Sequence, residues 1–258
     1  MNFGSNLYSL RKQISTPDAF LETARRLCEM GYRSLQISGM PLDKELIRSV
    51  CTQTGLPAVL THVPFERIEN DTAALVAEHD YFGCRNVGLG MMRFRDLDDT
   101  GITAAVASLE AAGRKLAQYG AKFFYHHHSN EFCKLSTGET IFDYILHNTE
   151  HVNITLDTYW LQHGGVSILD YVKRAEGRLA CVHLKDYLPK YDEEGKLKPN
   201  FAPVGEGNIN WGAVIPALRA AGTEHFLVEQ DDATSLADPL GQVESSIRYL
   251  NQHFAKGE

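Results

Sequence analysis

The sequence predicts a single (β/α)8 TIM barrel over residues 1–258, and three observations carry that expectation. Short apolar runs rich in aromatic and β-branched residues alternate with longer amphipathic segments, eight of each. The chain has 258 residues, a length that one α/β barrel commonly fills. The alternative, an open doubly wound sheet, normally carries a glycine-rich phosphate loop after its first strand, and here that position reads "SLRKQIS".

The elements follow in order. The first strand is "NFGSNLY" (2–8). Thr16 then offers an N-cap and Pro17 a first helical position. Phe20, Ala24, Leu27 and Cys28 share one helical face and Gly31 is a stop signal, giving a helix over 16–30. Strand "YRSLQIS" (32–38) leads to a helix at 43–54, and "PAVLTHV" (57–63) to one at 67–80. Strand "CRNVGLG" (84–90) leads to a helix at 97–119, which Gly113 weakens only slightly. Strand "KFFYHHH" (122–128) is followed by a helix at 139–147, and "VNITLD" (152–157) by one at 166–176. Strand "LACVHLK" (179–185) runs into the one long irregular stretch, 186–209, before a helix at 210–221. Strand "HFLVEQ" (225–230) and a helix at 237–254 complete the series. The irregular stretch follows strand seven, and Tyr187, Tyr191 and Phe201 within it favour a lid over the barrel mouth.

Composition narrows the function. Apolar residues at 43% and charged residues at 22% fit a soluble globular chain. A net charge of −8, from 25 basic and 33 acidic side chains, works against binding a phosphate backbone, so no nucleic-acid partner is expected. Five cysteines at wide spacings, with no C-x-x-C, argue against a disulfide framework or a thiolate zinc site and fit a reducing compartment. The segment MNFGSNLYSLRKQ lacks the basic and long apolar regions of a signal peptide. No apolar stretch approaches the roughly 20 residues of a membrane span. The expected location is cytoplasmic, with no membrane partner.

A barrel carries its chemistry at the C-terminal ends of its strands. Strand five ends in His126, His127 and His128, with Glu131 beyond; strand six ends in Asp157; strand seven carries His183 and Lys185; strand eight ends in Glu229. Strand two holds Gln36 and strand three His62. Four successive strands thus end in imidazoles or carboxylates, a set able to converge on one divalent cation. Manganese leads the expectation, and zinc, iron and cobalt also suit a mixed His/carboxylate set better than calcium does. Taken singly each residue has a plainer reading. Asp157 can cap the next helix, and His183 can be a hydrogen-bonded core residue. Glu229 closes an apolar strand, where an unpaired charge is costly. Strand alternation puts His126 and His128 on one face and turns His127 toward a helix or loop.

Six segments carry a resemblance: "LYSLR" (7–11), "YHHHSNEF" (125–132), "LDTYWLQHGG" (156–165), "HLKDY" (183–187), "VGEGNINW" (204–211) and "VEQD" (228–231). In this order they resemble the xylose isomerase-like TIM barrels, the sugar phosphate isomerase/epimerase family. One branch reads Y-H-N-H-x-x-E-F where this chain has His127 in place of Asn. The resemblance implies Asp157, His183 and Glu229 as metal ligands. The strand-five ligand is open between Glu131, His128 and His126, with Glu131 preferred. It implies an isomerase or epimerase acting on a sugar or keto-sugar through a metal-stabilised enediolate. A lyase that eliminates a group from an oxidised sugar or 3-keto-glycoside is the alternative on the same site.

Roles for the remaining residues follow from that chemistry. Glu131, Glu229 and His128 are candidate bases, and Lys185 can neutralise an oxyanion. His62, His126, Gln36, Trp160 and Glu206 are expected to contact substrate, Trp160 as an apolar wall and Glu206 from the lid. The loops after strands seven and eight are acidic and hold no glycine-rich nest, which favours a non-phosphorylated sugar. Two further readings are weaker: an endonuclease IV-like DNA repair enzyme, opposed by the net charge, and a sugar-binding barrel without catalysis, opposed by the strand-end carboxylates. The resemblance also admits a homo-oligomer.

Overall fold

A computed structural model describes residues 1–255. Eight parallel strands close into a barrel: β1 (Phe3–Asn6), β2 (Ser34–Ile37), β3 (Ala58–His62), β4 (Asn86–Leu89), β5 (Lys122–His126), β6 (Val152–Asp157), β7 (Cys181–Leu184) and β10 (His225–Val228). The last strand pairs with the first, Phe3 opposite Phe226 and Ser5 opposite Val228. Helices lie between the strands in sequence. Thr16 caps the first of them, accepting from Ala19 N, and Gly31 ends it at φ +108°. No helix among the described residues is long and apolar enough to cross a membrane.

Alternation organises the barrel interior into layers. Leu60, Phe124, Cys181 and Leu227 form a buried apolar cluster of their own. Two residues further along the same strands stand His62, His126, His183 and Glu229. The polar layer thus rests on an apolar plug that excludes water from below. Gly4 on β1 belongs to the lower level: a Cβ there would sit 2.3 Å from Ser34 Oγ and 2.7 Å from Leu227 Cδ2.

Three local differences from the sequence expectation have identifiable causes. The segment 67–80 is two helices, Phe65–Asn70 and Thr72–Phe82, broken at Asp71, whose backbone (φ −131°, ψ 33°) leaves the helical region. A short helix, Thr158–His163, starts directly on Asp157. The stretch 186–209 is not irregular throughout. Residues Asp186–Tyr191 (β8) and Leu197–Ala202 (β9) pair as an antiparallel hairpin, with Pro189 opposite Pro199. A two-stranded ribbon has two free edges, so proline costs it no ladder bond. Tyr187 and Phe201 pair across this hairpin and pack on Tyr159 (ring centroids at 5.3 and 4.4 Å), whereas Tyr191 is 75% exposed.

The hairpin is tied down at its base. The buried Asp186 carboxylate accepts from Gly205 N (2.8 Å), Gly207 N (3.2 Å), Ile209 N (3.2 Å), Tyr187 N (2.8 Å) and Trp211 Nε1 (2.7 Å). Glycine is required at two of these positions. Gly205 has φ +94° and presses on the Tyr249 ring, and a Cβ on Gly207 would lie 2.3 Å from Asp186 Oδ1.

Candidate functional site

The C-terminal ends of four neighbouring strands bring together His126 (β5), Asp157 (β6), His183 (β7) and Glu229 (just beyond β10). All are buried, and one ligating atom of each lies within 4.8 Å of the others. Asp157 serves two structures at once. Its Oδ1 accepts from Trp160 N at 3.0 Å and caps the short helix, while its Oδ2 faces the cluster. The cap and the cluster residue are one side chain, an oxygen each.

Hydrogen-bond acceptors surround the two imidazoles. His126 has an acceptor on each side, the Gly90 carbonyl 3.0 Å from Nδ1 and Asp157 Oδ2 3.2 Å from Nε2. His183 Nε2 lies 2.7 Å from Gln36 Oε1, an atom that only accepts. Nε2 therefore donates to Gln36, and Nδ1 lies 2.8 Å from Glu229 Oε2 and 3.5 Å from Asp157 Oδ2. Gln36 itself donates from Nε2 to His62 Nε2 at 3.0 Å, and His62 Nδ1 meets Ser38 Oγ at 3.2 Å.

Two imidazole nitrogens thus face two carboxylates in a buried site, an arrangement that calls for positive charge between them. Burial alone would lower the His183 pKa, but Glu229 and Asp157 raise it to about 9, which shows how strongly the site calls for positive charge. Lys185 supplies part of it: its Nζ lies 2.7 Å from Asp231, 3.3 Å from Glu229 and 3.5 Å from Asp157. Lys185 alone leaves the three carboxylates in excess, a deficit met by a proton on His183 or by a cation in its place. Ligands at about 2.0–2.2 Å from one ion lie at most about 4.4 Å apart, so a contraction of a few tenths of an ångström suffices. The residues fit a divalent cation.

A family model described as xylose isomerase-like TIM barrel matches residues 24–253. The chain belongs to the xylose isomerase-like TIM barrel family. Inosose dehydratase of Clostridium perfringens (strain 13 / Type A) is 27% identical over 157 residues, 56% of this chain and 52% of the relative; the chain spans about half the length of the curated relatives it matches. Among solved structures, a sugar phosphate isomerase/epimerase from Parabacteroides distasonis superposes with a TM-score of 0.83 at 19% identity, covering 98% of this chain and 94% of that one. A 3-keto-D-glucoside 4-epimerase from E. coli gives 0.71 at 19% identity, covering 98% and 99%. At these identities the structures share the fold.

Within this xylose isomerase-like barrel the remaining candidates fall into three groups. His62, His126, His128, Lys185 and Glu229 line a cavity of about 320 Å3. Trp160 stands behind that wall, its ring 5.0 Å from Lys185 Nζ and 4.9 Å from His128. Gln36 is fully buried and reaches His183 rather than the cavity, so it is corrected from a substrate contact to a support for the cluster. Two residues are not brought to the site. Glu206 is exposed and accepts from the Ser245 hydroxyl on the last helix. His126 stands in the cluster, and Glu131, preferred from the sequence as strand-five ligand, stands outside it. A 3-10 turn over Ser129–Phe132 folds its buried carboxylate back onto Tyr125 Oη and His128 N (3.0 Å). His127 turns away between Phe132 and Phe142, accepting from Asp157 N at 3.0 Å.

Sequence reasoning missed Asn6, whose Nδ2 donates to Glu229 Oε1 at 2.7 Å, and Asp231, which pairs with Lys185. Asn6 ends the first strand, and the same strand-end rule applied to β1 would have found it. Asp231 lies inside the quoted "VEQD" segment.

Two expected outcomes test this assignment. Gln36→Leu frees the His183 tautomer and should weaken manganese binding by about 10–100-fold, read by calorimetric titration; unchanged affinity would remove Gln36 from its supporting role. Burial lifts the Glu131 carboxyl from 4.5 to about 7. Between those values the folded chain holds a proton that the unfolded chain has released, so this group's contribution to stability falls as pH rises. Glu131→Gln, neutral throughout, should remove a slope worth on the order of 3 kcal/mol across that window. Urea unfolding at about pH 5 and about pH 8 checks this, and parallel pH profiles for wild type and variant would refute it.

Proposed function

We propose that the protein is a divalent-metal-dependent isomerase or epimerase that moves a proton beside the carbonyl of a sugar or keto-sugar. The observation that carries this reading is the convergence of two imidazoles and two carboxylates within 4.8 Å of one another, with His126 and Glu229 on the cavity wall. The mixed donor set favours manganese, with zinc, iron and cobalt as alternatives. His126, Asp157, His183 and Glu229 would hold the cation, which supplies Lewis-acid polarisation of a substrate carbonyl and its neighbouring hydroxyl.

The chain's own residues account for the rest. Lys185 is locked by three carboxylates and capped by the rings of Trp160 and Phe201 at 5.0 and 5.2 Å. Burial alone would lower its pKa, but Asp157, Glu229 and Asp231 raise it, so its charge is permanent. That ammonium is available to charge developing on a substrate oxygen, in a site whose dipoles are already set. Of the three candidates for handling the carbon-bound proton, Glu229 and His128 line the cavity. Burial, His126 and Lys185 depress the His128 pKa to about 2, keeping it neutral and able to hydrogen-bond a sugar hydroxyl. Burial would raise the Glu229 pKa, but Lys185 and His183 hold it well below the usual carboxylate range, so Glu229 is ionised and is the carboxylate we assign to taking the proton. Its return to the opposite face epimerises the carbon, and its return to the adjacent carbon exchanges aldose for ketose.

A second reading, a dehydratase or lyase on the same site, is favoured by the name of the Clostridium perfringens relative. There the carbanion expels a group from the next carbon, and the product loses mass. The acidic loops after β7 and β10 support a non-phosphorylated substrate in either case.

Metal content by mass spectrometry tests the proposal on untagged protein grown with manganese, beside His183→Ala and Glu229→Ala. One cation per chain, lost in both variants, is expected. Keto-sugars incubated in deuterated water should then exchange a carbon-bound hydrogen, and product mass separates isomerase from lyase. A folded wild type that takes up no metal on reconstitution would overturn the reading.

A further inference from the structure

We propose that a second cavity beside the metal pocket binds the distal part of a glycosidic substrate, and that this part is an apolar ring bearing an anionic group. The inference rests on the proposed function only for which end of the substrate reacts. The cavity measures about 630 Å3 and lies between the segments that follow β4 and β5, at the same end of the barrel. Met91 lines both spaces. The metal pocket, at about 320 Å3, is at the lower limit of small-ligand clefts, so it has room for one sugar and any group attached to that sugar would lie outside it.

The lining describes the occupant. Met92, Phe94, Leu97, Ile102 and Ile141 give it an apolar wall. Arg93, Arg95 and Lys134 stand on the same cavity, and among the described residues none of the three side chains makes an ion pair or a hydrogen bond. Of the two carboxylates present, Asp99 is engaged by Ser136 through its backbone N (3.0 Å) and its hydroxyl, and Asp96 alone faces three cations. In a chain of net charge −8, an apolar cavity with surplus positive charge is an anion-selecting feature. An arginine-rich rim with an apolar floor recognises a carboxylated aromatic body better than a neutral one.

The test uses phenyl β-D-glucopyranoside and its 4-carboxyphenyl analogue on manganese-loaded full-length protein. Cys133 is the one exposed cysteine and lies on the cavity wall, so its alkylation reports occupancy. The carboxylated glycoside should bind about tenfold tighter than the neutral one by calorimetry. At saturation it should slow Cys133 alkylation. The Arg93→Gln/Arg95→Gln double variant should lose the tenfold preference while retaining metal content. Equal affinities in wild type, binding that leaves Cys133 unprotected, or no binding of either aryl glycoside would overturn the proposal. Metal content measured on the same samples separates this failure from that of the metal site: charge-selective protection of Cys133 in metal-free protein keeps the subsite and removes the reaction.

Discussion

Lys185→Met is expected to destabilise the metal-free protein by about 3–5 kcal/mol, because it strips the counter-charge from buried carboxylates while keeping side-chain length. The lysine is 1% exposed and contacts Asp157, Glu229 and Asp231 together. Two of those carboxylates also belong to the four-residue cluster. A divalent cation should therefore compensate in part, and manganese should raise the melting temperature of the variant more than that of wild type. Proton exchange on a keto-sugar should still fall by about 10²–10³, since a fixed positive group beside the substrate oxygen is gone. Thermal unfolding with and without manganese, with deuterium incorporation on the same preparations, reads both effects. Wild-type exchange in a stable variant would show that Lys185 only balances charge.

Asp186→Asn is the second large effect. The amide keeps the carboxylate's shape but turns a donor toward a ring of five N–H groups. Hydrogen bonds to a charged acceptor are each worth about 1.5–3 kcal/mol, and several are lost or reversed, so a loss of about 3–5 kcal/mol is expected. Because Trp211 donates to this carboxylate, its fluorescence should report the change directly. Limited proteolysis should open the hairpin over β8 and β9 before the barrel. Manganese content should be retained, since Asp186 lies outside the cluster. A variant as stable as wild type would show that water replaces the carboxylate.

The same two neighbourhoods show what the sequence could reveal. Asp157, His183 and Glu229 were legible because each sits at a strand end, where period-two alternation and barrel geometry decide direction. His126 against Glu131 was not, because the choice is made by a 3-10 turn that folds Glu131 back on Tyr125 and His128. Nothing in strand periodicity encodes that turn. The hairpin was hidden by Pro189 and Pro199, which read as loop residues until they are seen opposite each other on a ribbon with free edges. "HLKDY" and "VGEGNINW" stand out as segments of the family resemblance, and only Glu206 of the second was expected at the site. In the fold they are two sides of the knot around Asp186, so much of that signal is structural. Gln36 was assigned to substrate because sequence gives the face of a residue but not its depth.

The pairing of β1 with β10 also has a consequence for the order of events as the chain is made. Seven of the eight barrel strands carry a polar side chain to this layer or its edge (Asn6, Gln36, His62, His126, Asp157, His183 and Glu229), and Glu229 is steadied by Asn6 from the first strand. Those two residues are joined by a contact of very long sequence separation, the slowest kind to form. A growing chain that has reached β7 owns three of the four converging donors but no closed ring. The four-residue cluster is therefore completed only when β10 pairs with β1, in the same step that closes the ring.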